Sequence, residues 1–297
     1  MINLSSPAQN ILLYCATILI WGSSWLAIKF QLGSVDPMVS VAYRFLLASG
    51  ISWFYCRVAG LQMRFGFQDH IFMFLQGASL FAFNYWLFYL SELTLTSGLA
   101  AVIFSTIVVM NMLNGAIFLG NRLELRMGAG AGLGLLGIMF VFWPEVADFE
   151  TGSENLAAAA LAVLATFLAS LGNIASARNQ RQGIPVVQAN TFGMTYGALL
   201  MLVISWLSGR EFTFEFTLPY LSSLVFLSVF ASIIAFWTYL TLLGRVGVER
   251  AAYATLLFPL VALGISTLAE DYQWSAFAVI GILLILAGNL LILKRSA

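Results

Sequence analysis

Residues 218–243 read LPYLSSLVFLSVFASIIAFWTYLTLL, an apolar run with no charged side chain. A hydrocarbon layer about 30 Å thick is crossed by roughly 20 residues of helix. This stretch is long enough, and lipid leaves a helix as the conformation that satisfies its backbone internally. Working outward, similar runs cover about 11–30, 38–58, 69–91, 97–118, 127–143, 156–178, 186–208, 249–270 and 274–294. Ten spans and an all-α integral membrane fold are expected. The composition agrees: 61% of the 297 residues are hydrophobic and 9% charged, against about 25% charged in soluble domains. Such a chain cannot cover a water-facing surface. The first run lacks a basic n-region and a small-residue cleavage site, so it is read as a retained span rather than a signal peptide.

Thirteen Lys and Arg balance thirteen Asp and Glu, which leaves no basic face for nucleic acid. The two cysteines, Cys15 and Cys56, sit in apolar runs, where neither a disulfide framework nor a thiolate metal site is expected. With the N-terminus inside, the inner loops hold Arg57, Arg64, Arg122, Arg126, Arg178, Arg181, Arg245, Arg250, Lys294 and Arg295. The outer side keeps Lys29 and Arg210. The positive-inside rule therefore places both termini in the cytoplasm; the cell inner (plasma) membrane is the expected location. The acidic segment with Glu145, Asp148, Glu150 and Glu154 falls outside.

Sliding the chain on itself by 151 residues aligns Trp86 with Trp237, Ala100-Ala101 with Ala251-Ala252, Gly130 with Gly281 and Gly137 with Gly288. Trp21 falls on Gly172, a mismatch. Two repeats are expected, residues 1–148 and 149–297. Five spans per repeat is an odd number, so the halves enter the membrane from opposite sides. Inverted repeats are the architecture that alternating access uses.

The motifs resemble the EamA family of the drug/metabolite transporter superfamily. Trp21-Gly22-Ser23-Ser24-Trp25 is similar to its Trp-Gly-Ser opening, and Pro37 with Arg44-Phe45 to the start of its second helix. Leu93 to Ala101 resembles the short third loop. Leu119-Gly120-Asn121-Arg122-Leu123 resembles Leu-Gly-Glu-Arg-Leu, with Asn121 where an acid is usual. Arg245 to Ala252 and Pro259 match the equivalent junction and proline of the second half; the fourth helix has no proline matching Pro259. The resemblance implies ten helices in five-plus-five order and transport, often export, of small metabolites, amino acids prominent among them.

Polar and aromatic groups within the spans are the candidates for substrate contact. They are Trp21 and Ser24 on the first helix, Asn84, Tyr85 and Trp86 on the third, and Ser105, Asn111 and Asn114 on the fourth. Asn173 lies on the sixth, Trp237 and Tyr239 on the eighth, and Tyr253, Thr255 and Pro259 on the ninth. Amides can hydrogen-bond amino or carboxylate groups, and aromatic faces can stack rings or bind an ammonium. The same residues also serve as interhelical glue and interfacial belts. Residues 84–86 cannot all face inward, since helix neighbours diverge by about 100°. Pro259 frees a carbonyl, as a hinge, a contact or a static kink.

No Asp or Glu occupies mid-span, which disfavours a carboxylate-driven proton antiporter. Lys29 and Arg44 are placed at the outer mouth, where they could attract a carboxylate or simply snorkel. His70 is expected at the interface. Gly132-Leu133-Gly134-Leu135-Leu136-Gly137 spells GxGxxG, but inside a span it reads as close helix packing rather than a nucleotide loop. A sugar-phosphate or nucleotide-sugar exchanger would need deep cations, of which Arg44 alone is available. A membrane-embedded transferase would need clustered Asp or a His constellation. The expectation is a carrier of small metabolites, neutral or aromatic amino acids foremost, without catalytic residues, metal or cofactor, as a monomer or weak dimer. A central cavity separates this reading from a sealed scaffold.

Overall fold

The computed structural model describes residues 6–149, 152–258, 260–261 and 275–293, and among them every regular element is helical. Helix α1 is Ser6–Lys29 and α2 is Pro37–Val58. Helix α3 runs over Phe67–Ser91 and contains a π-helical segment, Gly77–Phe83. Helix α4 comprises Ser97–Ser105 and Ile107–Leu119, interrupted at Thr106, and α5 is Leu125–Val141. A short helix, Trp143–Ala147, precedes α6, Ser153–Arg181, and α7, Val186–Leu207. Helix α8, Leu218–Val246, has its own π segment at Leu227–Ile234. Helix α9 begins as Val248–Ala252 and tightens into a 3₁₀ turn, Tyr253–Leu257; α10 is Ala276–Leu293.

Local chemistry sets several of these ends. The Met38 amide donates to Asp36 Oδ1 at 2.8 Å with Pro37 in the first turn, so an orphan donor is satisfied and a missing one costs nothing. The Leu99 amide donates to Thr96 Oγ1 at 3.3 Å and starts α4 in the same way.

Helices α3, α4, α6, α7 and α8 are each long and apolar enough to cross a bilayer; α5 and α10 are shorter apolar helices. Large apolar side chains such as Phe54, Leu125, Trp206 and Phe216 stand exposed, which suits a lipid solvent and not water. The chain is a multi-pass membrane protein. Following the helices in order, the ends of α1 and α3 and the starts of α2 and α8 share one face, the Asp36 face. The starts of α1 and α3 and the ends of α2, α4, α6 and α8 share the other, the Asp69 face.

Two crossings hold the bundle. Helix α2 lies along α7, with Trp53 Nε1 donating to Thr195 Oγ1 at 2.9 Å. Beside it the π segment of α3 meets α7 so closely that a Cβ on Gly77 would collide with the Gly193 carbonyl. Helix α5 packs along α10 through glycines in reciprocal pairs. A Cβ on Gly281 would lie 2.5 Å from the Gly137 carbonyl oxygen, and one on Gly288 would lie 2.7 Å from that of Gly130. Residues ascending on α5 meet residues descending on α10, so the two helices are antiparallel. The GxGxxG string lies in this α5 helix, where Gly134 takes the Leu256 side chain and Gly137 the α10 backbone.

The irregular segments coincide under the 151-residue shift. Gly77–Phe83 falls on Ser228 to Ile234 within the α8 π segment, and Thr106 falls on Leu257 at the end of the α9 3₁₀ turn. The Trp21–Gly172 mismatch also has a structural counterpart. Trp21 Nε1 donates to the Ala231 carbonyl at 2.9 Å, while Gly172 lets the Leu80 backbone and Cβ approach α6. Ala231 and Leu80 are themselves 151 residues apart.

Candidate functional site

Between α1, α2, α3, α4, α6, α8 and α9 lies a pocket with about 750 Å³ of space free of protein atoms, mouth included. It extends from Asn173 and Tyr239 in the bundle to Ile28 and Glu92 near the Asp36 face. Its walls are aromatic: Trp21, Tyr85, Phe88, Tyr89, Phe104, Phe236, Tyr239 and Phe258 all border it. Trp21 anchors the aromatic cluster, edge-on to Phe236 at 4.8 Å and to Phe258 at 5.3 Å between ring centroids. Its indole N–H meets a carbonyl of the α8 π segment, a region where the regular i→i−4 pattern is broken.

The inner end is polar. Asn173 Nδ2 donates to the Tyr239 hydroxyl at 3.1 Å and, more weakly, to Asn111 Oδ1 at 3.4 Å; Asn173 Oδ1 is buried without a partner. Closer to the Asp69 face, Gln180 Nε2 donates to the Leu240 carbonyl at 2.9 Å. Beyond it Asn121 donates to Glu249 Oε1 and accepts from Arg181 Nη2 at 2.9 Å, while Arg181 Nη1 reaches the Leu119 carbonyl. These layers join the ends of α4 and α6 to the start of α9; Gln180, Asn121, Arg181 and Glu249 line a separate recess there, and the pocket itself ends at Asn173 and Tyr239. The amide at Asn121 explains itself here: a carboxylate would confront Glu249, whereas the amide bridges it to Arg181.

Of the residues expected from sequence, Trp21, Ser24, Asn84, Tyr85, Asn173 and Tyr239 border the pocket, as does Thr255. Asn84 Nδ2 is committed to the Ala165 carbonyl at 2.9 Å. The others lie elsewhere. Trp86 turns from its neighbours toward Phe83 and the Leu87 cluster. Ser105 is spent on the Ala101 carbonyl of its own helix, and Asn111 stands behind Asn173. Asn114 accepts no pocket role, its amide donating to Ser170 Oγ. Trp237 is 44% exposed on the outside of α8. The Tyr253 hydroxyl donates to the Met127 carbonyl on α5 at 2.6 Å. Pro259 lies outside the described residues.

Arg44 departs most from the sequence reading. Instead of snorkelling at a mouth, it is 1% exposed and borders the pocket. Nε donates to Ser232 Oγ at 2.9 Å, Nη2 makes a long 3.5 Å contact to the Tyr85 hydroxyl, and the guanidinium carbon stacks 4.4 Å from the Tyr85 ring centroid. The signal was present in the sequence: Arg44 is a cation that falls within a span and away from its ends. His70 is half-buried, its Nδ1 2.8 Å from the Tyr196 hydroxyl, near the start of α3.

A helical membrane bundle around an aromatic pocket with a polar inner end is the build of a small-molecule transporter. Residues 9–143 and 156–294 match the EamA-like transporter family, and the chain belongs to it. It is 21% identical to the protein PagO of Salmonella typhimurium, over 95% of this chain and 92% of the relative. It is 24% identical to a probable amino-acid metabolite efflux pump of Escherichia coli, over 91% and 90% of the two chains. An uncharacterized transporter of Bacillus subtilis, YoaV, is 22% identical over 91% of each. A crystal structure superposes with a TM-score of 0.80 at 19% identity, over 97% of both chains, a likeness of fold.

Proposed function

We propose that this protein is an alternating-access carrier that exports neutral or aromatic amino acids, built from two inverted five-helix repeats, residues 1–148 and 149–297. The observation that carries the reading is the pocket itself, aromatic along its walls, polar at its floor, and ending at Asn173 and Tyr239 toward the Asp69 face. The reciprocal glycine pairs of α5 and α10 support the inverted arrangement. A two-fold axis in the membrane plane would carry Gly130 onto Gly281, the partner of Gly137, and Gly137 onto Gly288, the partner of Gly130, so the two contacts are consistent with that exchange. The efflux-pump relative supports the substrate class.

In this reading Trp21, Ser24, Asn84, Tyr85, Asn173 and Tyr239 surround the cargo. The Asn121–Arg181–Glu249 cluster opens as the pocket closes toward the Asp36 face. Both termini lie in the cytoplasm of a cell whose inner membrane holds the protein, and the Asp36 face is external. The working unit is a monomer or weak dimer. An exchanger of sugar phosphates is the weaker reading, because the pocket offers one buried cation to a dianion.

Counterflow in proteoliposomes tests the proposal. Vesicles preloaded with unlabelled amino acid should accumulate the labelled form transiently and saturably. Absence of exchange for every amino acid would end the substrate assignment.

A further inference from the structure

We infer that Arg44 is the seat of a substrate carboxylate, so that the carrier selects monoanionic or zwitterionic acids with an apolar body. The inference rests on the carrier reading above and names the group by which that pocket chooses its cargo.

An arginine does not lose its charge in a protein, and a charge removed from water requires compensation. Arg44 is 1% exposed, and neither ion pair found among the described residues involves it. Its protein partners are neutral: Ser232 Oγ, the Tyr85 hydroxyl, the Tyr89 hydroxyl and the faces of Tyr85 and Phe45. Nη1 is buried with no hydrogen-bond partner. An idle donor on a buried cation bordering a cavity calls for an anionic occupant.

The side chain is also held ready. Ser228 Oγ donates to the Arg44 carbonyl at 3.0 Å and Ser232 takes Nε, so the α8 π segment fixes both backbone and guanidinium. With Nε committed, the edge carrying Nη1 and the loosely held Nη2 remains for a carboxylate, the planar partner that arginine matches best. The remaining lining limits the rest of the ligand. Trp21, Phe88, Phe104 and Phe258 offer apolar faces. Glu92, at the mouth end, adds a negative charge that opposes a dianion and tolerates an ammonium.

Purified wild-type protein, titrated with matched ligand pairs and followed by thermal unfolding, tests this. The pairs are phenylalanine and phenylalaninamide, leucine and leucinamide, and phenylacetate and phenylacetamide. At least one acid should stabilise the protein with roughly tenfold or greater preference over its amide, and Arg44→Gln should erase that preference. Should the variant fail to fold, the wild-type pairs decide alone. Equal binding of acids and amides overturns the inference, as does failure of every acid to bind. Counterflow with the same pairs separates the two claims: exchange that ignores the carboxylate leaves the carrier standing and removes Arg44's role, whereas no exchange of any solute removes both.

Discussion

Trp21 on α1 donates its indole N–H to the carbonyl of Ala231 on α8, at 2.9 Å, inside the π segment that also positions Arg44. One side chain thereby closes a backbone gap and forms a pocket wall. Trp21→Phe keeps most of the ring and removes the donor. Leaving a buried carbonyl unsatisfied costs about 1–3 kcal/mol, so the variant should unfold at lower temperature and exchange substrate more weakly. Trp237→Leu, on the exposed side of the same α8 helix, should change neither by more than about 0.5 kcal/mol. Thermal unfolding in detergent and counterflow rates check both, and equal effects at the two positions would refute the assignment.

The α5–α10 crossing makes a steric prediction. Gly281→Leu places a side chain against the Gly137 carbonyl and the Val141 backbone, and overpacking costs about 1–3 kcal/mol or more. Gly128→Leu, on the α5 side of this crossing, where an added Cβ meets nothing within 4 Å, serves as control. Monodisperse yield by size-exclusion chromatography should fall for the first variant and hold for the second.

At the inner end, Glu249→Ala removes the acceptor of Asn121 and so loosens the side chain to which Arg181 Nη2 donates. A cysteine placed at buried Ser176, in α6 between the pocket floor and this cluster, should then react faster with a water-soluble maleimide. An unchanged labelling rate would mean the cluster is no barrier.

On the Asp36 face, hydroxyl donation from Ser34, and secondarily from Thr217, holds the exposed Glu215 carboxyl below the ordinary glutamate value. A depressed folded-state pKa contributes stability above the unfolded value and loses it as pH falls through the folded one. Proteolysis of the loop around residues 211–217 should therefore accelerate in that acidic window. Glu215→Gln should cleave at a rate independent of pH there, once protease activity is normalised.

Apolar runs and capping residues made the helices legible from sequence, because lipid enforces length and hydropathy, and Asp36-Pro37 is a start signal by chemistry alone. The π segments were not legible: Gly77–Phe83 and Leu227–Ile234 are apolar like their flanks, and packing against neighbouring helices decides the register. The candidate pocket was half visible. Trp237 and Tyr239 lie two residues apart, about 200° around a helix, so one of them had to face away; the sequence does not say which. Arg44 was misjudged because depth depends on the helix packed beside it, and Ser228 and Ser232 sit 184 and 188 residues away.

The unequal match of Trp21 with Gly172 bears on energetics. In a duplicated bundle with identical halves, swapping their conformations would yield two end states of equal free energy. An indole wedged into one half, where its counterpart presents bare backbone, lifts that degeneracy. On the inverted arrangement proposed above, an empty carrier therefore rests on one side of the membrane by preference, and the Trp21–Gly172 difference contributes to that preference.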